Sequence, residues 1–530
     1  MTDPDAVIIG GGHNGLVCGA YLARAGVRVS VLERRKILGG AAVTEEIWDG
    51  YRVNTAAHMM GLLQPKVILD LELARFGFEV IKPPPTVHLL ENGASATLWP
   101  EPDRMAQEIA RFSCQDAGRY VDYIAHLAAL GPFFRRMLWE IPPDPSDLSL
   151  RGLMGKIGFG MRNMGLLRRF HDVSDLLTMS AHDYLSRWFE AEETKTILGY
   201  YPAAGSGQSV SIHTPGTAFF LIRGHIRDNT TPAGGTGLVR GGMGQVSDAI
   251  AASGRRFGMQ IRTGAEVARV LVEDGVAKGV VLTSGEEIRA RAVIANAAVQ
   301  HLAGTLLDDA ELPADYARSI RGLHGQSTAF KVHIGTSNLP RFRVCNGTAP
   351  EAGPAQFTVA PSVGYLERAY AEMRAGAISR RPFLTVQIPT VADPALAPEG
   401  RHILSIYGGH VPALTDAGNA AQTRARVLQT VEDTLAEHAA LTPGWIEHSQ
   451  VMLAQDYEEV FGLPGGNPQH FNLALDQMFF KRPARRFADY RTPVRGLYLC
   501  GASAHPGGGV SGVPGHNAAR VVGKALGKRV

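Results

Sequence analysis

Ala6-Val7-Ile8-Ile9-Gly10-Gly11-Gly12-His13-Asn14-Gly15 opens on an apolar run and closes on a glycine turn. Leu16 to Ala25 continue at helical spacing, and Arg28-Val29-Ser30-Val31-Leu32-Glu33 is a second apolar run that ends in an acid. Period and composition predict strand, turn, helix, strand. A lone GxGxxG says little, but one that follows a strand, opens a helix and is answered by an acid closing the next strand predicts a dinucleotide site. Gly10 permits the tight turn, Gly12 lets main chain approach a pyrophosphate, and Gly15 lets the helix pack closely on the strands. The helix start, with His13 and Asn14 in its first turn, offers unsatisfied amides and a positive dipole end to phosphate. Glu33, eighteen residues beyond Gly15, is placed to accept hydrogen bonds from the adenosine ribose, and its charge disfavours a 2′-phosphate. Up to this point FAD and NAD stand equal, because both use the same ADP-binding geometry.

The residues after the acid are Arg34-Arg35-Lys36-Ile37-Leu38-Gly39-Gly40-Ala41-Ala42. A glycine pair six residues past Glu33 resembles the flavoprotein form of the motif, in which the chain turns back along the cofactor. That likeness points to FAD, with Gly39, Gly40 and Ala41 against it. Arg34 and Arg35 either line the ribose and pyrophosphate or form a solvated basic loop.

Near the other end, Gly496 to Gly501 reads as a buried strand leading into Ala504-His505-Pro506-Gly507-Gly508-Gly509-Val510-Ser511-Gly512-Val513 and a last helix. This run resembles the terminal motif of the phytoene-desaturase-like FAD-dependent oxidoreductases, matching it at Gly501, His505, Pro506, Gly507, Gly509, Val510, Gly512 and Val513. Leu38 to Glu46, Gly241 to Ala251, Phe461 to Asn467 and Leu475 to Pro483 are similar to one branch, that of pyridine nucleotide-disulphide oxidoreductase domain-containing protein two. The disulphide in that name has no counterpart here, since no CxxxxC pair exists. The resemblance implies bound FAD, with its flavin end carried by the terminal motif. It sets Gly501, Gly512 and Val513 against the cofactor, Val267 over the adenine and His505 beside the ring as the candidate catalytic residue.

Gly241 to Arg256 reads as a glycine turn and helix, followed by strands at Gln260 to Arg262, Glu266 to Glu273, Ala277 to Thr283 and Arg291 to Ala295. The expected fold is α/β. A discontinuous FAD domain of the two-dinucleotide-binding type (glutathione-reductase-like Rossmann) would take residues 1–75, 235–305 and 490–530. An α+β substrate or lid domain with a mixed sheet would take 76–234 and 306–489. Beyond the two terminal glycine turns no GxGxxG follows a strand anywhere else, so no NAD(P)H domain is expected, and reoxidation falls to oxygen, a quinone or another acceptor.

With 530 residues, 45% of them hydrophobic and 19% charged, the chain is long enough for two domains and reads as globular. A net charge of +3 gives no case for nucleic-acid binding. Cys18, Cys114, Cys345 and Cys500 lie far apart, so neither a metal site nor a disulfide framework is expected. The acidic start leads straight into a strand, which leaves no room for a targeting peptide and predicts a cytoplasmic protein.

One further stretch, Arg151 to Phe170, carries Arg151, Lys156, Arg162, Arg168 and Arg169 with no acid among large apolar side chains. It fits an interfacial segment on an anionic membrane, the alternative being a surface helix packed on its own domain or a homodimer contact; its glycines argue against a regular amphipathic helix. His58, Tyr201, His505 and His516 are the candidate chemical residues. The expected activity is a dehydrogenase or desaturase that moves hydride from a lipophilic, polyene-like substrate to FAD. An amine oxidase, a redox-neutral isomerase and a flavin-bound interaction protein are the alternatives.

Overall fold

The apolar run Ala6–Ile9 is buried at every position and forms strand β1, helix α1 spans His13–Arg24, and strand β2 spans Val29–Glu33 in the computed structural model. The structure describes residues 3–82, 84–205, 210–226, 236–345, 354–413 and 420–530. Both strands are buried at every position and mostly aliphatic, Ser30 and the terminal Glu33 being the exceptions, because they are covered on both faces, as strands of a parallel sheet are.

The chain then leaves this sheet for β3 (Thr86–Leu89), β4 (Ser95–Leu98) and a helical layer of α2 (Cys114–Trp139), α3 (Leu150–Arg162) and α4 (Phe170–Thr178). It returns through α5 (Gly244–Arg256) and β5 (Gln260–Thr263), makes a meander of β6 (Val267–Glu273), β7 (Val276–Leu282) and β8 (Glu287–Arg289), and runs into β9 (Ala292–Ala295). A second excursion supplies β10 (Ala329–Thr336), β11 (Gln356–Val359), β12 (Phe383–Gln387), β13 (His402–Gly409) and β14 (His448–Met452). The chain closes with β15 (Leu497–Leu499) and α6 (Val513–Ala525).

The first sheet has five strands in the order β15-β9-β1-β2-β5, all parallel, with Ala6 opposite both Ala292 and Val29. One apolar core joins this sheet to α1, α5 and α6, drawing on residues as far apart as Ile8, Val293 and Leu499. The second sheet has seven strands in the order β14-β10-β13-β12-β11-β3-β4 and is mixed, since β11 and β3 run parallel while the other pairs are antiparallel. It has its own core, in which the Phe342 and Phe357 rings stack 3.7 Å apart. The result is an α/β fold with an added mixed sheet.

The helix α3 departs from expectation. Its glycines do not break it, because Ser149 caps the start by accepting from the Gly152 amide at 3.1 Å, and the Arg162 side chain ties the end to Glu140 at 3.1 Å.

Candidate active site

The strands β1, β2 and β9 end together at one edge of the parallel sheet, the edge at which open α/β sheets bind ligands. A cavity of about 460 Å³ opens there, walled by Gly10, Gly12, His13, Asn14, Glu33, Arg34, Gly40, Ala41 and Val267. Of the other residues singled out in the sequence, Gly15, Gly39, Gly501, Gly512 and Val513 lie behind the wall. Gly15 sits where an added Cβ would come within 2.3 Å of the Gly10 carbonyl oxygen, so its smallness lets α1 start against the strand turn. Gly39 donates to the Gly11 carbonyl at 2.9 Å, and Gly512 caps α6 with φ of 75°, packed beside Val67.

The phosphate end of the cavity is made of main chain. Gly12 is the N-cap of α1, no side chain caps that helix, and no acid lies in its first turn. The first-turn amides therefore face the cavity unclaimed, at the positive end of the helix dipole. Glu33 is buried; its Oε2 accepts from the Gly11 amide at 2.7 Å and its Oε1 from the Arg35 amide at 2.8 Å. An ionised carboxylate has about four acceptor sites, so two remain for a ligand. Arg34 is exposed, and its guanidinium donates to the Glu459 and Val460 carbonyls at 2.8 and 2.9 Å, which fastens the helix Ala454–Phe461 across the cavity mouth. Arg35 pairs with Glu45 and lies 5.1 Å from the Phe461 ring centre.

The two chain ends meet inside this site. His13 Nε2 donates to the Gly509 carbonyl at 3.2 Å, and burial pushes its pKa down to about 4 against a small opposing effect of that carbonyl. Asn296, at the end of β9, abuts both Gly12 and Gly15, and His470 joins the wall with Nδ1 2.8 Å from the Ser503 hydroxyl. Neither residue stood out in the sequence. Asn296 has a signal, as the first polar residue after a buried parallel strand on the ligand-binding edge; His470 has none.

Further in, Ala57 donates to the Ala41 carbonyl at 2.9 Å, which links the cavity wall to the segment below it. Beneath that segment lies Lys331, fully buried on β10, donating to the Ala56 carbonyl at 2.8 Å and to the Asn54 carbonyl. No carboxylate answers it among the described residues, and burial lowers its pKa to about 7. The neighbouring His58 and His333 are held neutral by burial and by the Lys331 charge, His58 with a pKa of about 3. The signal for Lys331 was a charge inside the apolar run Ala329-Phe330-Lys331-Val332.

The other candidates fall elsewhere. The His505 ring turns away from the cavity toward α2, with Nε2 2.8 Å from the Met137 carbonyl, and its own carbonyl accepts from Tyr490 at 2.6 Å. His516 is wedged edge-on between Tyr21 and Trp139, at 4.8 and 4.9 Å. Tyr201 is exposed beside Arg223, and the His58 ring lies 6.0 Å from that of Tyr407.

The profile of the flavin-containing amine oxidoreductases matches residues 15–522. The chain belongs to that family. A protein of Rattus norvegicus named pyridine nucleotide-disulfide oxidoreductase domain-containing protein 2 is 34% identical over 548 residues, covering 98% of this chain and 93% of that protein. One of the limonene dehydrogenase subunits of Castellaniella defragrans is 27% identical over 554 residues, covering 99% of this chain and 95% of the other. Among solved structures, an oxidoreductase of Methanosarcina mazei superposes with a TM-score of 0.58 at 19% identity, over 98% of this chain and 99% of that one, which shows a shared fold. The likeness carried by the terminal glycine motif therefore holds along the whole chain. The cofactor of this oxidoreductase is FAD. The site's residues fit it: the unclaimed α1 amides suit the pyrophosphate, and Asn14 Oδ1 and Gln300 Oε1 on the wall are buried without a partner.

Proposed function

We propose that this flavoprotein is a dehydrogenase or desaturase that takes hydride from a lipophilic, unsaturated substrate. One observation carries the reading. Beside the Gly507 turn is a space of about 70 Å³ lined mainly by apolar side chains, among them Leu177, Phe219, Phe220, Leu473 and Met478, with Thr214, Thr217 and Asn472 as neutral polar groups and no charged side chain among its described lining. The end of an alkene loses no hydration of its own on entering it, whereas an ammonium group would enter without a counter-ion. The 27% identical limonene dehydrogenase relative, matched over almost its whole length, supports the same class.

In this reading the parallel sheet and its glycine turns form the two-dinucleotide-binding arrangement, with residues 1–75, 235–305 and 490–530 as the FAD domain and the rest as the substrate domain. Gly10, Gly12, His13 and Asn14 hold the pyrophosphate, with Gly15 letting α1 start close behind them; Glu33, with Arg34 bracing the far wall, holds the ribose; Val267 covers the adenine. Gly40 and Ala41 line the cavity toward the flavin, and Gly39, Gly501, Gly512 and Val513 support that end from behind. When bound, FAD supplies the hydride acceptor. The protein supplies orientation and exclusion of water, the two contributions such a transfer needs most. Lys331 holds the 54–56 carbonyls in place from below. His505 is a positioning residue that anchors the terminal turn to α2, in place of the catalytic role its motif suggested.

The test is anaerobic flavin bleaching at 450 nm with monoterpene alkenes, polyenes and primary amines. The expected outcome is bleaching by one of the hydrocarbon classes. Bleaching by amines alone would make the protein an amine oxidase, and a product of unchanged oxidation level would make it an isomerase.

A further inference from the structure

The helix α3 carries its apolar residues on the wrong side for a globular protein. Leu150, Leu153, Met154, Ile157, Met161 and Met164 recur at the spacing of one helical face. That face is turned outward, with Leu150 77%, Met154 66%, Ile157 60% and Met161 63% exposed. The helix also stands off the body. A Cβ added at Gly155 or Gly160 would meet nothing within 4 Å, so these glycines serve no internal packing. Its hold on the rest of the chain is at its ends, through Ser149, the Arg162–Glu140 ion pair and the buried Asn163.

From residue 151 to 170 every charged side chain is basic; the acids Glu140, Asp147 and Asp172 lie outside that run, and Glu140 is taken up by Arg162. Lys156 donates only to the Pro145 and Asp147 carbonyls, at 3.1 and 2.7 Å, so its charge is not neutralised by them. Arg168 and Arg169 follow the stripe, are exposed, and form no ion pair among the described residues. Phe170, 57% exposed, extends the apolar surface past them.

We propose that α3 and the turn through Phe170 form a docking surface for an anionic lipid bilayer, with Leu150, Met154, Ile157 and Met161 in the acyl boundary and Lys156, Arg168 and Arg169 on the headgroups. The helix lies along the membrane surface. No helix of the described residues is long and apolar enough to cross a bilayer, and the 13 residues of α3 carry the polar flank of an interfacial helix. A second copy of the chain is the poorer occupant, because a two-fold axis through this face would bring Lys156, Arg168 and Arg169 against their own counterparts.

Co-sedimentation with vesicles tests this without substrate, so it stands or falls apart from the proposed dehydrogenation. Wild-type protein is expected to sediment with phosphatidylcholine–phosphatidylglycerol vesicles, to be released by high salt, and to stay in solution with phosphatidylcholine alone. The Arg168→Gln, Arg169→Gln double variant is expected to bind about fivefold more weakly per charge removed, roughly 25-fold in all. A Met154→Gln, Ile157→Gln, Met161→Gln variant is expected to lose binding while its circular dichroism stays unchanged, since all three side chains are exposed. In an Ile157→Trp variant, indole emission should shift blue only with the anionic vesicles. Absence of wild-type binding to anionic vesicles overturns the proposal, and equal binding to both vesicle types overturns its anionic part. A wild-type dimer that dissociates in the triple variant, with no vesicle binding, assigns the face to a second copy.

Discussion

His13 Nε2 donates to the Gly509 carbonyl at 3.2 Å, so the first turn of the chain's first helix and the glycine turn before its last helix are joined by one hydrogen bond across 496 residues. The contact closes the cofactor cavity between two segments that pack against it from opposite ends of the sequence.

Replacing His13 by Ala removes that closure. The expected cost is about 0.5–1.5 kcal/mol of stability, read as a lowered urea midpoint, together with faster loss of flavin on dilution. A variant that keeps both its midpoint and its flavin contradicts the role.

His13, His58, His470 and His505 share a direction: burial lowers each, to about 4, 3, 3 and 4. Each ring is neutral in the fold and takes up a proton on unfolding, so stability is undiminished above the ordinary histidine pKa near 6.5 and is lost as pH falls from there toward 4. Melting temperatures measured from pH 7 to pH 4.5 should fall steadily. A flat profile over that range would mean that these rings are solvated.

Glu33 accepts from the Gly11 and Arg35 amides, and in the proposed reading the same two oxygens also take the ribose. Glu33→Ala removes the acceptor for Gly11 as well as a charge-assisted contact worth roughly 1.5–3 kcal/mol, weakening FAD about tenfold to a hundredfold. Glu33→Gln keeps one acceptor and is expected to lie between. Equilibrium flavin titration of the apoprotein checks the order, and equal dissociation constants in all three proteins would remove Glu33 from the ribose site.

Lys331 titrates in the opposite sense from an ordinary surface lysine. Its folded pKa, about 7, is below its unfolded value of 10.5, so the unfolded chain binds the extra proton between those limits and wild-type stability rises with pH across that window. Below pH 7 the full cost of burying the charge is present. Lys331→Met loses this dependence. The difference in melting temperature between wild type and variant should therefore move in favour of wild type from pH 7 to pH 10, and parallel curves would place the ammonium in solvent.

What could be read from the sequence was local. Gly10, Gly12, Gly15 and Glu33 lie within one βαβ unit, so spacing alone places them on one sheet edge, and the structure brings Gly10, Gly12 and Glu33 onto one cavity wall. The His13 to Gly509 contact could not be read, because it depends on how two distant glycine turns dock. His505 could not be oriented, since its direction is set by the Met137 carbonyl on a helix more than 360 residues earlier. The role of Lys331 could not be read, for its partners, the Asn54 and Ala56 carbonyls, lie some 275 residues earlier in the chain. The glycines of α3 suggested a broken helix; Ser149 and Glu140, which secure its two ends, lie just outside the basic and apolar stretch itself.

Central to the proposed activity is hydride leaving a carbon of a lipophilic substrate for the flavin. Single-turnover anaerobic reduction, followed at 450 nm with an alkene deuterated at its allylic carbon, measures that directly. A primary isotope effect on bleaching, with the desaturated product in equal amount to the reduced flavin, is the predicted result. Bleaching that ignores the deuterium, or that occurs only with an amine, would contradict it.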